Sequence, residues 1–222
     1  MSVAPPETYS AEDLEILRLV HAEFQYYKED VTENLNDTTM LYDRLPDGML
    51  SDIRDCFGHL CDAVTRTDQP AEQRRSNVEN AHRHLRRVNL DCYKIQCIWY
   101  RDQLREFDRK YRWTNLSDVH DGKFRPEYHW RKEAARKAFR LAQHTERPGN
   151  NDRIEELGEL GDDVYRLYEK ALAAYLDTLR YITDARPAVE RVAHKDTRRT
   201  VLTFLGWAFG IFMTIVTAFV CK

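Results

Sequence analysis

Two cysteine pairs of equal spacing, Cys56 with Cys61 and Cys92 with Cys97, lie near His59, His82 and His84. Thiolate and imidazole are the donors of tetrahedral zinc sites, so the combination invites a metal. The spacing argues against one. Residues five apart on a helix point about 140° away from each other, and neither pair converges unless its helix breaks. Cys92 falls on an apolar stripe and Cys61 beside one, the ordinary place for a small buried hydrophobe. No metal ligand and no cofactor is expected. A second candidate is the segment from Ser117 to Gly122, where Asp118, His120 and Asp121 bring two carboxylates and an imidazole together. Those groups serve hydrolytic metal chemistry, but a solvated turn rich in Asp and Gly contains the same residues. The chain has no P-loop, no GxGxxG after a strand, no HExxH and no GxSxG, and it reads as a non-enzyme.

The third candidate is electrostatic. Arg125, Arg131, Lys132, Arg136, Lys137 and Arg140 interleave with Tyr128, His129 and Trp130. A basic, aromatic face of this kind holds an anionic ligand such as a nucleotide, RNA or a lipid headgroup. The competing reading is internal. Pro148–Gly149–Asn150–Asn151 is a helix stop, and Asp152, Glu155, Glu156 and Glu159 then open an acidic helix, as the helix dipole favours. An antiparallel hairpin sets the basic and acidic helices against each other, and this is the preferred expectation.

The same question arises over the whole chain. Its 222 residues have a formal net charge of -3, yet residues 1–60 sum to -9 and residues 61–147 to +7. The expectation is that these segments face one another inside the fold, ahead of a free basic binding surface. Charged residues make up 32% of the chain and there are only 8 Gly and 7 Pro, which favours helices over a turn-rich β fold. The first twenty residues show no basic and apolar signal pattern, which predicts a cytosolic domain with reduced thiols.

The elements that would position these residues are helical. Ser10 and Asp13 form a capping-box pattern at the head of a helix with the stripe Leu17, Val20, Phe24, Tyr27 and Val31. After Pro46–Asp47–Gly48 a second helix carries Leu50, Ile53, Phe57, Leu60 and Val64. A helix over about 70–112 follows. Its stripe, Val78, Ala81, Leu85, Val88, Cys92, Ile95 and Trp99, then changes phase to Tyr100, Leu104, Phe107 and Tyr111. The phase shift predicts either a kink or a coiled-coil pairing, with Val78, Leu85, Val88, Ile95 and Trp99 as the core or oligomer face. Residues 114–125 read as a loop. Pro126 then opens the basic helix through Trp130, Ala134, Ala138 and Leu141, and a last helix carries Leu157, Leu160, Val164, Tyr168, Ala171, Tyr175, Leu179 and Ile182. Pro187 is expected to end it.

Residues 201–220 form a run without charge, preceded by Lys195, Arg198 and Arg199 and followed by Lys222. Its length matches the ~30 Å hydrocarbon core of a bilayer. This predicts one C-terminal transmembrane helix in a tail-anchored, single-pass layout, with the N-terminal domain cytoplasmic and the C-terminus across the membrane. Thr203, Gly206, Gly210, Thr214 and Thr217 share one stripe, and Gly206 with Gly210 makes a GxxxG pattern suited to close helix packing. Cys221, beyond the run, reads as an incidental terminal thiol.

The fold expected is therefore all-α: an elongated antiparallel helical bundle, coiled-coil-like, plus one membrane helix. Its parts are a flexible terminus at 1–9, a helical domain at 10–186, a basic linker at 187–200, the membrane helix at 201–220 and a tail at 221–222. The function expected is non-enzymatic: self-association and partner binding, with an oligomeric channel or membrane-disrupting effector as its sharper form. The expected partners are a lipid bilayer, further copies of the chain and a protein docking on the cytoplasmic helices. The alternative is a tethered sensor whose helix at 125–140 binds a nucleotide, RNA or lipid headgroup.

Overall fold

Ser10 opens the first helix as its spacing to Asp13 predicts. The Ser10 hydroxyl accepts from the Asp13 amide at 3.1 Å, and the Asp13 carboxylate accepts from the Ser10 amide at 3.0 Å. In the computed structural model the described residues are 10–42, 44–146 and 158–220, with side chains described at all of these except 158–163 and 212–220. Among them are six α-helices and no strand: α1 (Ala11–Tyr26), α2 (Thr32–Leu41), α3 (Asp47–Thr65), α4 (Ala71–Lys110), α5 (Phe124–Thr145) and α6 (Gly158–Val220). A π turn at Tyr27–Val31 joins α1 to α2, and a 3-10 segment at Leu116–Gly122 precedes α5. The all-α class and the helical bundle match expectation. The terminus at 1–9, the Pro148–Asn151 turn and the 221–222 tail, with Cys221, lie outside the described residues.

The chain divides into two compact units, Met1–Trp99 with Gly158–Glu169, and Tyr100–Leu157 with Lys170–Lys222. The phase shift in the α4 stripe falls at this division. No kink is needed, because each stripe serves the core of its own unit.

In the first unit Val78, Ala81, Leu85, Val88 and Cys92 of α4 are buried. Most of them meet Val31, Leu35, Met49, Cys56 and Leu60 from the π turn, α2 and α3, with Ile95 packed against the cluster. The face expected to pair with another chain is thus covered from within, and Trp99 is only half-buried. The shorter helices turn differently from expectation. Ile16 is fully buried in α1 whereas Phe24 is 48% exposed, and Met49, Cys56 and Ala63 replace Leu50 and Phe57 as the inward positions of α3.

The reason lies in polar residues that point inward. Asp13 meets Arg74 at 2.6 Å, and Arg74, almost fully buried, also donates to the Ala63 carbonyl at 2.8 Å. His82 Nδ1 sits 2.8 Å from Glu23, and Arg75 pairs with Glu15. His84 Nδ1 lies 2.7 Å from Asp52. The acidic N-terminal segment faces basic positions on α4, as the charge distribution predicted. Deeper in, Asn89 accepts from Asn34 at 2.6 Å and donates to the Tyr26 hydroxyl at 3.2 Å, while Gln96 donates to Thr38 at 3.3 Å.

Asp13 gives the unit a defined acid limit. The Ser10 hydroxyl first, and Arg74 second, hold its carboxyl at about 2 against an ordinary 3.8. A depressed carboxyl pKa contributes stability fully above the unfolded value, and that contribution is lost as pH falls through the folded value. The loss is therefore expected between pH of about 4 and about 2. Asp13→Asn should flatten this limb of the acid unfolding curve followed by circular dichroism. An unchanged limb would mean that other carboxylates set it.

The second unit is organised by aromatic rings. Phe124 stacks on Tyr128 (5.9 Å) and on Tyr181 (5.5 Å), and Phe107 closes on Tyr111, Phe124 and Tyr128 at 4.9–6.1 Å. Phe124, Tyr128, Ala135, Phe139 and Ala142 form the buried face of α5. That is not the expected stripe: Trp130 is 66% and Leu141 55% exposed. Helix α5 also begins at Phe124, ahead of Pro126, which suits proline's tolerance in a first turn. The presumed loop at 114–125 contains a 3-10 segment anchored by buried Leu116 and Val119. Val164, Tyr168, Ala171, Tyr175 and Ile182 of the α6 stripe are buried, each within its own unit, whereas Leu157 and Leu160 lie outside the residues whose side chains are described. Helix α6 runs through Pro187 instead of ending there, with Ala185 and Val189 buried on either side of it.

One expectation is overturned. Among the described residues no helix is long and apolar enough to cross a membrane. A tail-anchored, single-pass placement, and the channel that would require it, therefore do not stand.

Candidate functional site

The six cations singled out on α5 split into two sets. Arg131 pairs with Glu127 at 2.8 Å and with Asp177 of α6, Lys132 pairs with Asp108, and Arg136 with Glu133. Arg131 also lies over the Tyr181 ring at 4.9 Å. Arg131 and Lys132 tie α5 to α6 and α4 within its unit, Arg136 pairs along α5 itself, and Arg131–Asp177 is one cross-helix ion pair between the two helices of the expected hairpin. Its acidic opening at Asp152–Glu159 falls where side chains are not described. Arg125, Lys137 and Arg140 are exposed, and among the described residues no carboxylate is within ion-pair distance of them. The exposed Trp130 and Leu141 share the side of the helix that carries Lys137 and Arg140.

The Asp118, His120 and Asp121 trio does not converge. All three side chains are exposed, and among the described residues no hydrogen bond or ion pair joins them. His120 (φ 50°), Asp121 (φ 54°) and Gly122 (φ 83°) turn through the left-handed region, where Asp and Gly are tolerated. The residues serve the turn into α5.

The cysteines behave as core residues. Burial pushes the Cys56 thiol up to about 12, Cys92 to about 11 and Cys97 to about 12, so none is a nucleophile near neutrality. Cys61 is exposed. His59 stacks on His84 at 5.4 Å, and among the described residues no group of three or more His, Cys, Asp or Glu is placed to hold a metal.

The most unusual surface is the C-terminal stretch of α6. Phe204 is 75%, Trp207 72% and Phe209 65% exposed, and Val201, Leu202, Leu205 and Ile211 are each more than half exposed. Among the described residues, a Cβ placed at Gly206 or Gly210 meets no atom within 4 Å. The Thr203 hydroxyl donates to its own helix, at the Arg199 carbonyl (2.9 Å), while the Thr214 and Thr217 side chains are not described. Beside this stretch, Lys110, Tyr111, Trp113, His194, Thr197 and Val201 line an open cleft of about 520 Å³. Trp113, 86% exposed with the Arg112 guanidinium 4.8 Å from its ring, was not singled out from sequence. Its one signal is an aromatic residue just past a helix end, with no apolar period to place it.

These features define an all-α protein with exposed apolar and basic helix faces. No protein family, curated protein or solved structure matches the chain.

Proposed function

We propose that this protein is a non-enzymatic helical association module that works by self-association and partner binding, with the C-terminal part of α6 as its principal contact surface. The carrying observation is the run of large apolar side chains from Val201 to Ile211, all more than half exposed. Apolar surface removed from water contributes about 25 cal/mol per Å², and contiguous exposed apolar patches mark association sites. Gly206 and Gly210 open a shallow track along the same helix, where a second backbone can approach closely.

The glycines make the test specific. Among the described residues, no atom lies within 4 Å of a Cβ at either position. Gly206→Leu with Gly210→Leu should therefore leave the monomer fold intact, and even gain helix propensity. It should weaken association by roughly tenfold or more, since close packing is lost. Light scattering on the full chain in a mild detergent, with circular dichroism as the folding control, reads the outcome. A variant that retains the wild-type mass at all concentrations removes α6 as the contact surface.

A further inference from the structure

Among the described residues, ion pairing inside the fold leaves exposed cations unmatched on α5, as it does Arg186, Arg191, Lys195, Arg198 and Arg199 on α6, and exposed carboxylates unmatched on α2. On α5 the unmatched cations Lys137 and Arg140 lie beside exposed Trp130 and Leu141, while Arg125 lies toward the edge of that face. The other face belongs to the π turn and α2. Glu29, Asp30, Glu33 and Asp37 are exposed, with no cation within ion-pair distance among the described residues, and Met40 at the end of α2 is 85% exposed. Elsewhere in the acidic segment, Asp13, Glu15, Glu23 and Asp52 find partners on α4.

We propose that the basic face of α5 docks the acidic face of α2 from a second copy of this chain. The apolar and charged positions repeat at the same interval on both helices. Met40 and Glu33 are seven residues apart, as are Trp130 and Lys137, and each interval spans roughly 10 Å at 1.5 Å per residue. An antiparallel arrangement that seats Met40 on the Trp130 ring places Glu33 by Lys137, and Glu29 and Asp30 by Arg140. Thioether–aromatic contact and charge complementarity act together there, and Trp and Arg are the residue types that dominate association energies. Ala134 lies between Trp130 and Lys137 and leaves the floor of the contact low. The contact joins two different patches of the same chain, so it is heterologous and polar. This inference rests on the self-association reading and deepens it by naming a second, salt-sensitive contact between copies.

Charge reversal and rescue test it on the full chain in mild detergent. The variant Lys137→Glu with Arg140→Glu, and separately Asp30→Lys with Glu33→Lys, should each weaken association at low salt by at least tenfold. Both changes lie on exposed side chains, and circular dichroism checks that the fold is kept. Mixing the two variants in equal amounts, or combining all four changes in one chain, should restore association. At 0.5 M salt the wild type should fall toward the level of the variants, because screening removes the same term. Loss without rescue overturns the proposal, and so does an unchanged mass. If self-association is unchanged but the α5 variant alone stops binding polyglutamate or homopolymeric RNA, the occupant is a different acidic molecule and the proposal fails. The α6 contact is separable: its glycine variants should lose association at every salt concentration, whereas charge reversal acts only at low salt.

Discussion

Phe124→Ala is expected to cost the second unit about 3–5 kcal/mol, the range for removing a large buried aromatic side chain. Phe124 is fully buried and touches rings from three elements: Phe107 on α4, Tyr128 on α5 and Tyr181 on α6. Alanine there leaves a cavity that rigid neighbouring rings cannot fill, so the transfer and cavity terms add. Burial first, and the Asp108 hydrogen bond second, raise the Tyr128 phenol, so its neutral hydroxyl donates to Asp108 at 2.8 Å. Loss of Phe124 would let water reach that bond. The informative comparison is Trp130→Ala, since sequence pattern placed Trp130 on the core stripe. At 66% exposure its removal should change stability by no more than about 0.5 kcal/mol. Urea unfolding monitored by circular dichroism, with hydrogen exchange at α5 amides, distinguishes the two. Equal losses in both variants would mean that α5 is rotated from the orientation described.

The second large effect is expected at Arg74. Its guanidinium lies among α1, α3 and α4, with one nitrogen on the Ala63 carbonyl and another on the Asp13 carboxylate. Arg74→Ala leaves the Ala63 carbonyl without its donor, a loss of about 1–3 kcal/mol for a buried group, and removes the cation facing Asp13. Arg74→Lys is not expected to rescue. Lysine's ammonium is a compact point charge and lacks the planar fork that serves both acceptors. A denaturant midpoint that falls in both variants, with the slope unchanged, is the expected result. Full recovery in the lysine variant would show that charge alone is required.

Arg74 also shows what was and was not legible in the sequence. The long stripe of α4 was read correctly because Val78, Leu85, Val88 and Cys92 recur without interruption. The capping box was read because it depends on one local spacing. The shorter helices were misread by about one position. Counting large apolar residues favoured Leu17, Phe24, Leu50 and Phe57. The structure instead turns Asp13, Ile16, Cys56 and Ala63 inward, two of them small and one charged. A carboxylate is a core-facing residue only once its cation is known, and Arg74 lies sixty-one residues away.

The basic helix failed for a related reason. Trp130 and Leu141 look like core on a single helix. Phe124 and Tyr128, which Phe107 and Tyr181 cover, belong to the other side of the cylinder. Of the candidate site, the six cations were visible, but their division into paired and unpaired sets was not, because it depends on Asp108 and Asp177 arriving from other helices. The C-terminal run of apolar residues was fully visible. Its reading as a membrane span is what the described residues do not sustain.

The three buried thiols make the protein a reporter of its own breathing. Cys56 and Cys92 lie in the same core cluster of the first unit, and Cys97 is as deeply enclosed. A maleimide or disulfide reagent reaches them only when that core opens, and even then meets a protonated sulfur until the environment becomes aqueous. Among the described cysteines, Cys61, already at the surface, is modified first and sets the zero of the time course. The slow rates that follow measure opening events residue by residue under native conditions. Cys56 and Cys92 modified in step would mean that α3 and α4 part as one cooperative piece, whereas an earlier Cys56 would show α3 peeling away while α4 stays folded.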